Sequence, residues 1–240
     1  MAILFNFQGD NLPFNPIFYM MKIEWWTRKF PRINALLLIL AIFPIFIIPS
    51  LPAYWSGFLY PIFFTGIFLT AAFSISSKRK AVLYSALCLS ALFMIAQIGG
   101  WYNMKIIIRG LQILFFFFMV TALIKEISQS PAVSKTVIID AITGYLLLGF
   151  AFSLLVTVVS SLHPDAYNTL HAPEIEIKNL DSIRDDIYYA FVTFTSTGYG
   201  DILPVAPVAK SLAILISISG QLYIAIIISL LVGKFASAKN

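Results

Sequence analysis

The chain has 240 residues, of which 60% are hydrophobic and 11% charged, and its mean hydropathy is +0.89. Soluble proteins carry about 25% charged residues, so this composition excludes an ordinary soluble domain and indicates an integral membrane protein. The formal charge of +5 comes from basic residues flanking apolar segments, which points to membrane anchoring and not to nucleic-acid binding.

Residues 14–30, FNPIFYMMKIEWWTRKF, interleave aromatic and basic side chains. They are read as an interfacial helix on the inner leaflet, with Trp25 and Trp26 at headgroup depth. The first 32 residues lack the basic, apolar and small-residue succession of a cleavable signal. A spanning helix needs about 20 apolar residues, and six segments fit that requirement: 34–50, 58–77, 81–98, 106–124, 137–162 and 208–233. Pro44 removes a backbone donor inside the first and is expected to kink it. Cys88 lies in the third and is read as a small buried apolar side chain.

Basic residues set the orientation. Lys22, Arg28, Lys29 and Arg32 precede the first segment, and Lys78, Arg79 and Lys80 join the second to the third. Lys125 and Lys135 join the fourth to the fifth, and Lys234 and Lys239 follow the sixth. Alternating spans place all of these on one side, the cytoplasm, with both termini inside a plasma (inner) membrane. The opposite side holds the long acidic loop with Asp165, Glu174, Glu176, Asp181, Asp185, Asp186 and Asp201. The expected organisation is an N-terminal segment (1–32), four front helices (33–125), a linker (126–136), a final pair of spans with the polar strip (137–235) and a tail (236–240).

The strip, TFTSTGYGDI at 193–202, follows a helix of about 183–195 that is too short to cross a bilayer. Ser182 with Asp185 three residues on fits a capping box at that helix's start. The helix must enter, stop partway and hand over to a strip that climbs back to Asp201. Irregular backbone at membrane depth is tolerated where it is buried in protein or lines a wet cavity. Gly198 and Gly200 open backbone conformations closed to other residues, so the carbonyls of Ser196, Thr197, Gly198 and Tyr199 can face one axis. Four such strips make rings of oxygens that replace the hydration shell of K⁺. The Ser196 hydroxyl adds a ring at the inner end, and Tyr199 is expected to turn from the axis and pack on the short helix near Tyr188 and Tyr189. The helix's negative C-terminal end favours a cation beneath the strip.

TSTGYGD resembles the Thr-Val-Gly-Tyr-Gly filter of the tetrameric potassium channels, and the resemblance runs from about Val137 to Phe235. It implies an all-α membrane fold: six transmembrane helices plus a re-entrant pore helix and filter loop, assembled as a homotetramer in a lipid bilayer. It also implies that Ser196, Thr197, Gly198, Tyr199 and Gly200 are K⁺ ligands, with Thr195, Asp201, Tyr188, Tyr189 and Val192 supporting the filter. The Gly198-to-Gly220 spacing matches the distance from filter to inner-helix hinge in simple bacterial members. Ser196 and Thr197 stand where the family has threonine and valine, Tyr188 and Tyr189 where many members have a tryptophan pair, and Val192 where some have glutamate.

A voltage sensor needs several basic residues at every third position, yet the fourth segment offers Lys105 and Arg109 alone before Lys125. A charge crossing the whole field is worth about 2.3 kcal/mol per 100 mV. These two lie near the outer end and are expected to snorkel to headgroups, so steep voltage gating is not expected. The front helices are read as scaffold, lipid sensor or a docking site for an auxiliary subunit. Gly220 is a candidate hinge, and Ile224, Ile228 and Val232 follow at i+4 steps as a candidate dewetting gate. Passive K⁺ conduction is the expected function, with a weakly selective cation channel of the same fold as the alternative. No cofactor beyond the permeant ion is expected. Enzyme activity is not expected, because His163 and His171 both lie in the outer loop, away from Ser217 and Ser219.

Overall fold

The computed structural model describes residues 31–74, 84–92, 95, 102–169 and 182–237. The interfacial segment at 14–30, the basic cluster at 78–80, and Glu174, Glu176, His171 and Asp181 lie outside the described residues. Helix α1 runs Pro31–Phe46 and passes into a 3₁₀ turn at Ile48–Ser50. Pro44 lies inside α1 but in its last turn, so it acts where the helix is already ending. Helix α2 spans Ala53–Ser74 and contains Pro61. Residues 84–92 are helical and cover part of the expected third segment. Cys88 is exposed there; it sits on the face turned from the rest of the chain, contrary to the buried position expected of it.

Helix α3, Tyr102–Gln129, is longer than its apolar stretch suggested. Pro131 ends it by disfavouring helical backbone at the residue before. Helix α4, Lys135–Leu162, begins at a Ser134 cap whose hydroxyl accepts from the Val137 amide at 3.3 Å. Helix α5 is the short one, Ser182–Phe194. Helix α6 starts on Pro207, where the missing amide costs nothing, and continues to Ser237. Four apolar stretches among the described residues are long enough to cross a membrane: Ile33–Ser50, Ile106–Gln129, Lys135–Leu162 and Pro207–Ala236. Within α2, the apolar stretch Leu59–Ala71 is shorter.

Helix α4 is the central element, packed against α3, α5 and α6. In lipid, helices associate through close packing, because the surrounding tails are as apolar as the side chains. Phenylalanines supply that packing here. Phe64 of α2 meets Phe116 of α3 edge-on at 6.1 Å and Phe150 of α4 at 5.5 Å. Phe150 in turn meets Phe191 of α5 at 5.7 Å. Offset and edge-to-face pairs of this kind add about 0.5–1.5 kcal/mol each beyond burial. On α4, Gly149 leaves room for the Phe191 ring and Gly144 for the Tyr223 hydroxyl, where a β-carbon would collide. Hydroxyls within α4 bond back one turn, Ser153 to Gly149 and Thr157 to Ser153, both at 2.9 Å, which satisfies these two within the apolar helix.

Two features clamp the ends of this bundle. Strand β1 (Tyr167–Thr169) pairs antiparallel with β2 (Ile202–Pro204), Asn168 opposite Leu203. This ribbon fastens the chain after α4 to the chain that leaves the strip. At the far end, the Lys234 ammonium of α6 donates to the carbonyls of Ser128 (2.8 Å) and Ser130. It meets the negative end of α3 and satisfies carbonyls that a helix terminus leaves open.

Candidate functional site

The strip begins as the C-terminal cap of α5. The Thr197 amide donates to the Val192 carbonyl and the Ser196 amide to the Thr193 carbonyl, each at 2.9 Å. These are the six-to-one and five-to-two bonds of a Schellman cap, which places its next residue in the left-handed region. That residue is Ser196, with φ of 58°. Glycine usually fills the position, because a side chain there costs about 1–2 kcal/mol. The serine is held there by the two cap bonds.

Positive φ then recurs at every second residue, at Gly198 (56°) and Gly200 (79°). Ser196 is the one described non-glycine residue with positive φ, so Thr197 and Tyr199 keep the ordinary sign between them. The sign of φ therefore alternates from 196 to 200, and the direction of each carbonyl is set by its own peptide. The amides fix that direction. A trans peptide points its N–H and C=O in opposite directions, and no described peptide is cis. The Thr197 and Gly198 amides both point back to the Val192 carbonyl, at 2.9 and 3.3 Å. The carbonyls of Ser196 and Thr197 therefore point away from α5.

Thr195, Ser196, Thr197, Gly198 and Tyr199 are all exposed. Their outward oxygens belong to an edge of the chain, not to its core. Around them the chain supplies support from one side. Thr195 Oγ1 donates to the Phe191 carbonyl at 2.9 Å and lies 2.8 Å from Thr197 Oγ1. At the outer end, the Tyr188 hydroxyl donates to Asp201 Oδ2 at 2.6 Å, and Asp201 Oδ1 accepts the Ile202 amide at 3.1 Å. The bond to Asp201 pushes the Tyr188 phenol up to about 12. Val192 contributes through its carbonyl, a role its side chain gave no sign of.

Two expected placements differ. Tyr189 faces only the first residue of the strip, Thr193; its ring is buried edge-on against Tyr167 at 4.9 Å, bracing β1. Tyr199 is 72% exposed and does not pack on its own α5, because the ring sits beyond the edge that the chain itself fills.

Beneath the strip, α6 crosses the end of α5 closely. A β-carbon at Gly220 would run into the Phe194 carbonyl oxygen, so glycine permits the crossing. The helix is unbroken through Gly220. Flanking this crossing, Ser217 Oγ, about one turn before Gly220, lies 3.1 Å from Ser196 Oγ, and Gln221 Nε2, from the residue after it, donates to Ser196 Oγ at 3.0 Å. Sequence reasoning missed both; two polar residues four apart in an apolar helix were the available signal. Further down, Ile224, Ile228 and Val232 are exposed, while Tyr223 and Ile227 are buried, so the i+4 stripe lies on the face the chain leaves uncovered. Val232 also borders an open apolar crevice with Val133, Leu231 and Phe235.

At the outer end of the bundle, Arg109 of α3 donates to Ser161 Oγ at 3.1 Å. It does not extend alone into headgroups as the sequence suggested. It also faces Asp186 of α5, whose Oδ1 accepts from Ser160 at 3.0 Å. Burial raises the Asp186 carboxyl to about 6, partly offset by its hydroxyl partners and by Arg109. Arg184 of α5 donates to the Leu51 carbonyl at 2.8 Å. Chemically, the strip offers hard carbonyl and hydroxyl oxygens, the donors that suit unsoftened cations. Among the described residues, no group of three or more His, Cys, Asp or Glu side chains could hold a metal ion.

Residues 141–237 match the family model described as ion channel. No curated protein and no solved structure matches the chain. The match covers α5, the strip and α6, and α4 from Ala141 onward. Together with the apolar helices, it supports a membrane protein of the ion-channel kind.

Proposed function

We propose that four copies of the chain surround one axis and conduct K⁺ passively down its gradient, each copy lending one strip to a shared filter. The observation that carries this reading is the alternation of positive φ at Ser196, Gly198 and Gly200 with the amides of Thr197 and Gly198 turned back to Val192. One chain presents one edge of oxygens. At membrane depth such oxygens need partners, and a ring of four edges facing K⁺ supplies them. The ligands are the oxygens of Ser196, Thr197, Gly198 and Tyr199, with Gly200 turning the strip outward.

In this reading residues 137–235 form the pore domain, with α4 outer, α5 the pore helix and α6 inner. Residues 33–125 form a front domain without a voltage sensor, since Arg109 is tied to Ser161 and faces Asp186. The termini lie in the cytoplasm, and Ile228 or Val232 closes the inner mouth, with Gly220 both a packing contact and the point about which α6 bends. Purified protein in a planar bilayer between KCl and NaCl solutions tests the reading. A reversal potential that follows the K⁺ gradient is expected. One that ignores the difference between the two cations gives the weakly selective channel instead, a reading favoured by serine at 196, which lacks threonine's methyl group. Absence of any cation current rejects both.

A further inference from the structure

We propose that Ser217 and Gln221 of α6 fix the orientation of the Ser196 hydroxyl, and so set the cation affinity of the innermost site of the strip. The inference rests on reading the strip as a cation filter, and it adds two specificity-determining residues outside the filter sequence. A serine hydroxyl has one hydrogen and two lone pairs. The Gln221 amide, at 3.0 Å, occupies one lone pair. Ser217 Oγ lies 3.1 Å away, and either hydroxyl can be the donor of that contact. We assign the hydrogen to Ser196, the direction in which it points toward α6, does not oppose a cation and leaves one lone pair.

A serine side chain alone has three staggered positions open to it; a β-branched residue has fewer. At position 196 the chain has serine, so the restriction must come from elsewhere, and α6 supplies it. The contact is positioned by backbone. Ser217 and Gln221 are four apart and share one face of α6, and Gly220 sets that face against the Phe194 carbonyl. The pairing is not a response to burial. Ser196 and Gln221 are exposed and Ser217 is half-buried, so each hydroxyl and amide is open to water below the strip and would be satisfied without the others.

The experiment uses Ba²⁺, close to K⁺ in size and doubly charged, added on the α6 side of full-length channels in bilayers. Gln221→Leu and Ser217→Ala are each expected to weaken Ba²⁺ block about fivefold, the worth of one hydrogen bond. In a Ser196→Gly background, which keeps the backbone conformation of the cap, neither substitution is expected to weaken it further. Block unchanged in both single variants, or weakened equally in the Ser196→Gly background, overturns the inference. Gln221→Met serves in the same comparison if the leucine variant does not assemble. Wild-type channels that carry K⁺ while the variants leave block unchanged overturn this inference alone; wild-type protein that carries no cation overturns the filter reading with it.

Discussion

The Tyr188 hydroxyl donates to Asp201 Oδ2 at 2.6 Å, joining the middle of α5 to the residue at which the strip ends. The two are 13 positions apart, and residues 193–200 of the strip lie between them. The bond therefore fixes how far the strip's outer end stands from α5, while the Schellman cap at Ser196 fixes its inner end.

Tyr188→Phe is expected to lower the melting temperature of the assembled protein and reduce discrimination of K⁺ against Na⁺. A hydrogen bond at a site this exposed is worth about 1 kcal/mol. The bond raises the phenol to about 12, so its contribution is complete below the ordinary tyrosine range near pH 10 and is lost as pH rises through about 12. A phenolate absorbance titration of wild type against Tyr188→Phe reads this directly: the difference between the curves is expected to rise near pH 12, and a difference that rises near pH 10 would remove the clamp.

Gly220→Ala is expected to destabilise the chain by about 1–3 kcal/mol, the usual cost of overpacking, because its β-carbon meets a backbone carbonyl that has no rotamer to change. The measurement is thermal unfolding of purified protein in detergent. A variant as stable as wild type would mean that α6 does not cross α5 at this point.

Asp186 is buried, and its acid form suits the site better than its carboxylate. Its pKa is raised to about 6, so the contribution of the neutral acid is complete below the ordinary aspartate value near 4. That contribution is lost as pH rises through about 6. Asp186→Asn keeps a neutral group in place and is expected to flatten the change in melting temperature between pH 4 and 6. Arg109 and Asp185 also act on this carboxyl, so the comparison is made within one buffer series. An unchanged slope would place the titration elsewhere.

Arg109→Gln is expected to lower thermal stability by loosening α3 from Ser161 and Asp186. The steepness of conductance against voltage is expected to stay the same. A charge that crosses the full field is worth about 2.3 kcal/mol per 100 mV, so a mobile Arg109 would show in that slope. A shallower curve in the variant would make it a gating charge.

Ile228→Ser and Val232→Ser are each expected to raise resting K⁺ leak from proteoliposomes, since a hydroxyl wets an apolar constriction. Both residues are exposed on α6. Leak equal to wild type in both variants would move the gate away from this stripe.

The amino-acid sequence by itself determined that the protein lives in a membrane, because 11% charge leaves too little polar surface to face water. It also determined where the short helix and the strip lie. The short helix, Ser182–Phe194, falls within one residue of its expected bounds, because such local features are encoded by adjacent residues. The tertiary structure alone decided which groups meet across the chain. Ser196 with Ser217 and Gln221, Asp186 with Ser160 and Arg109, and Lys234 with the end of α3 join residues 21 to 106 positions apart. No local pattern specifies such pairs, because they follow from the angles at which α3, α5 and α6 cross α4. The same holds for Tyr189, whose neighbour Tyr188 is indistinguishable from it in sequence. A turn of about 100° around α5 sends one ring to Asp201 and the other into the core.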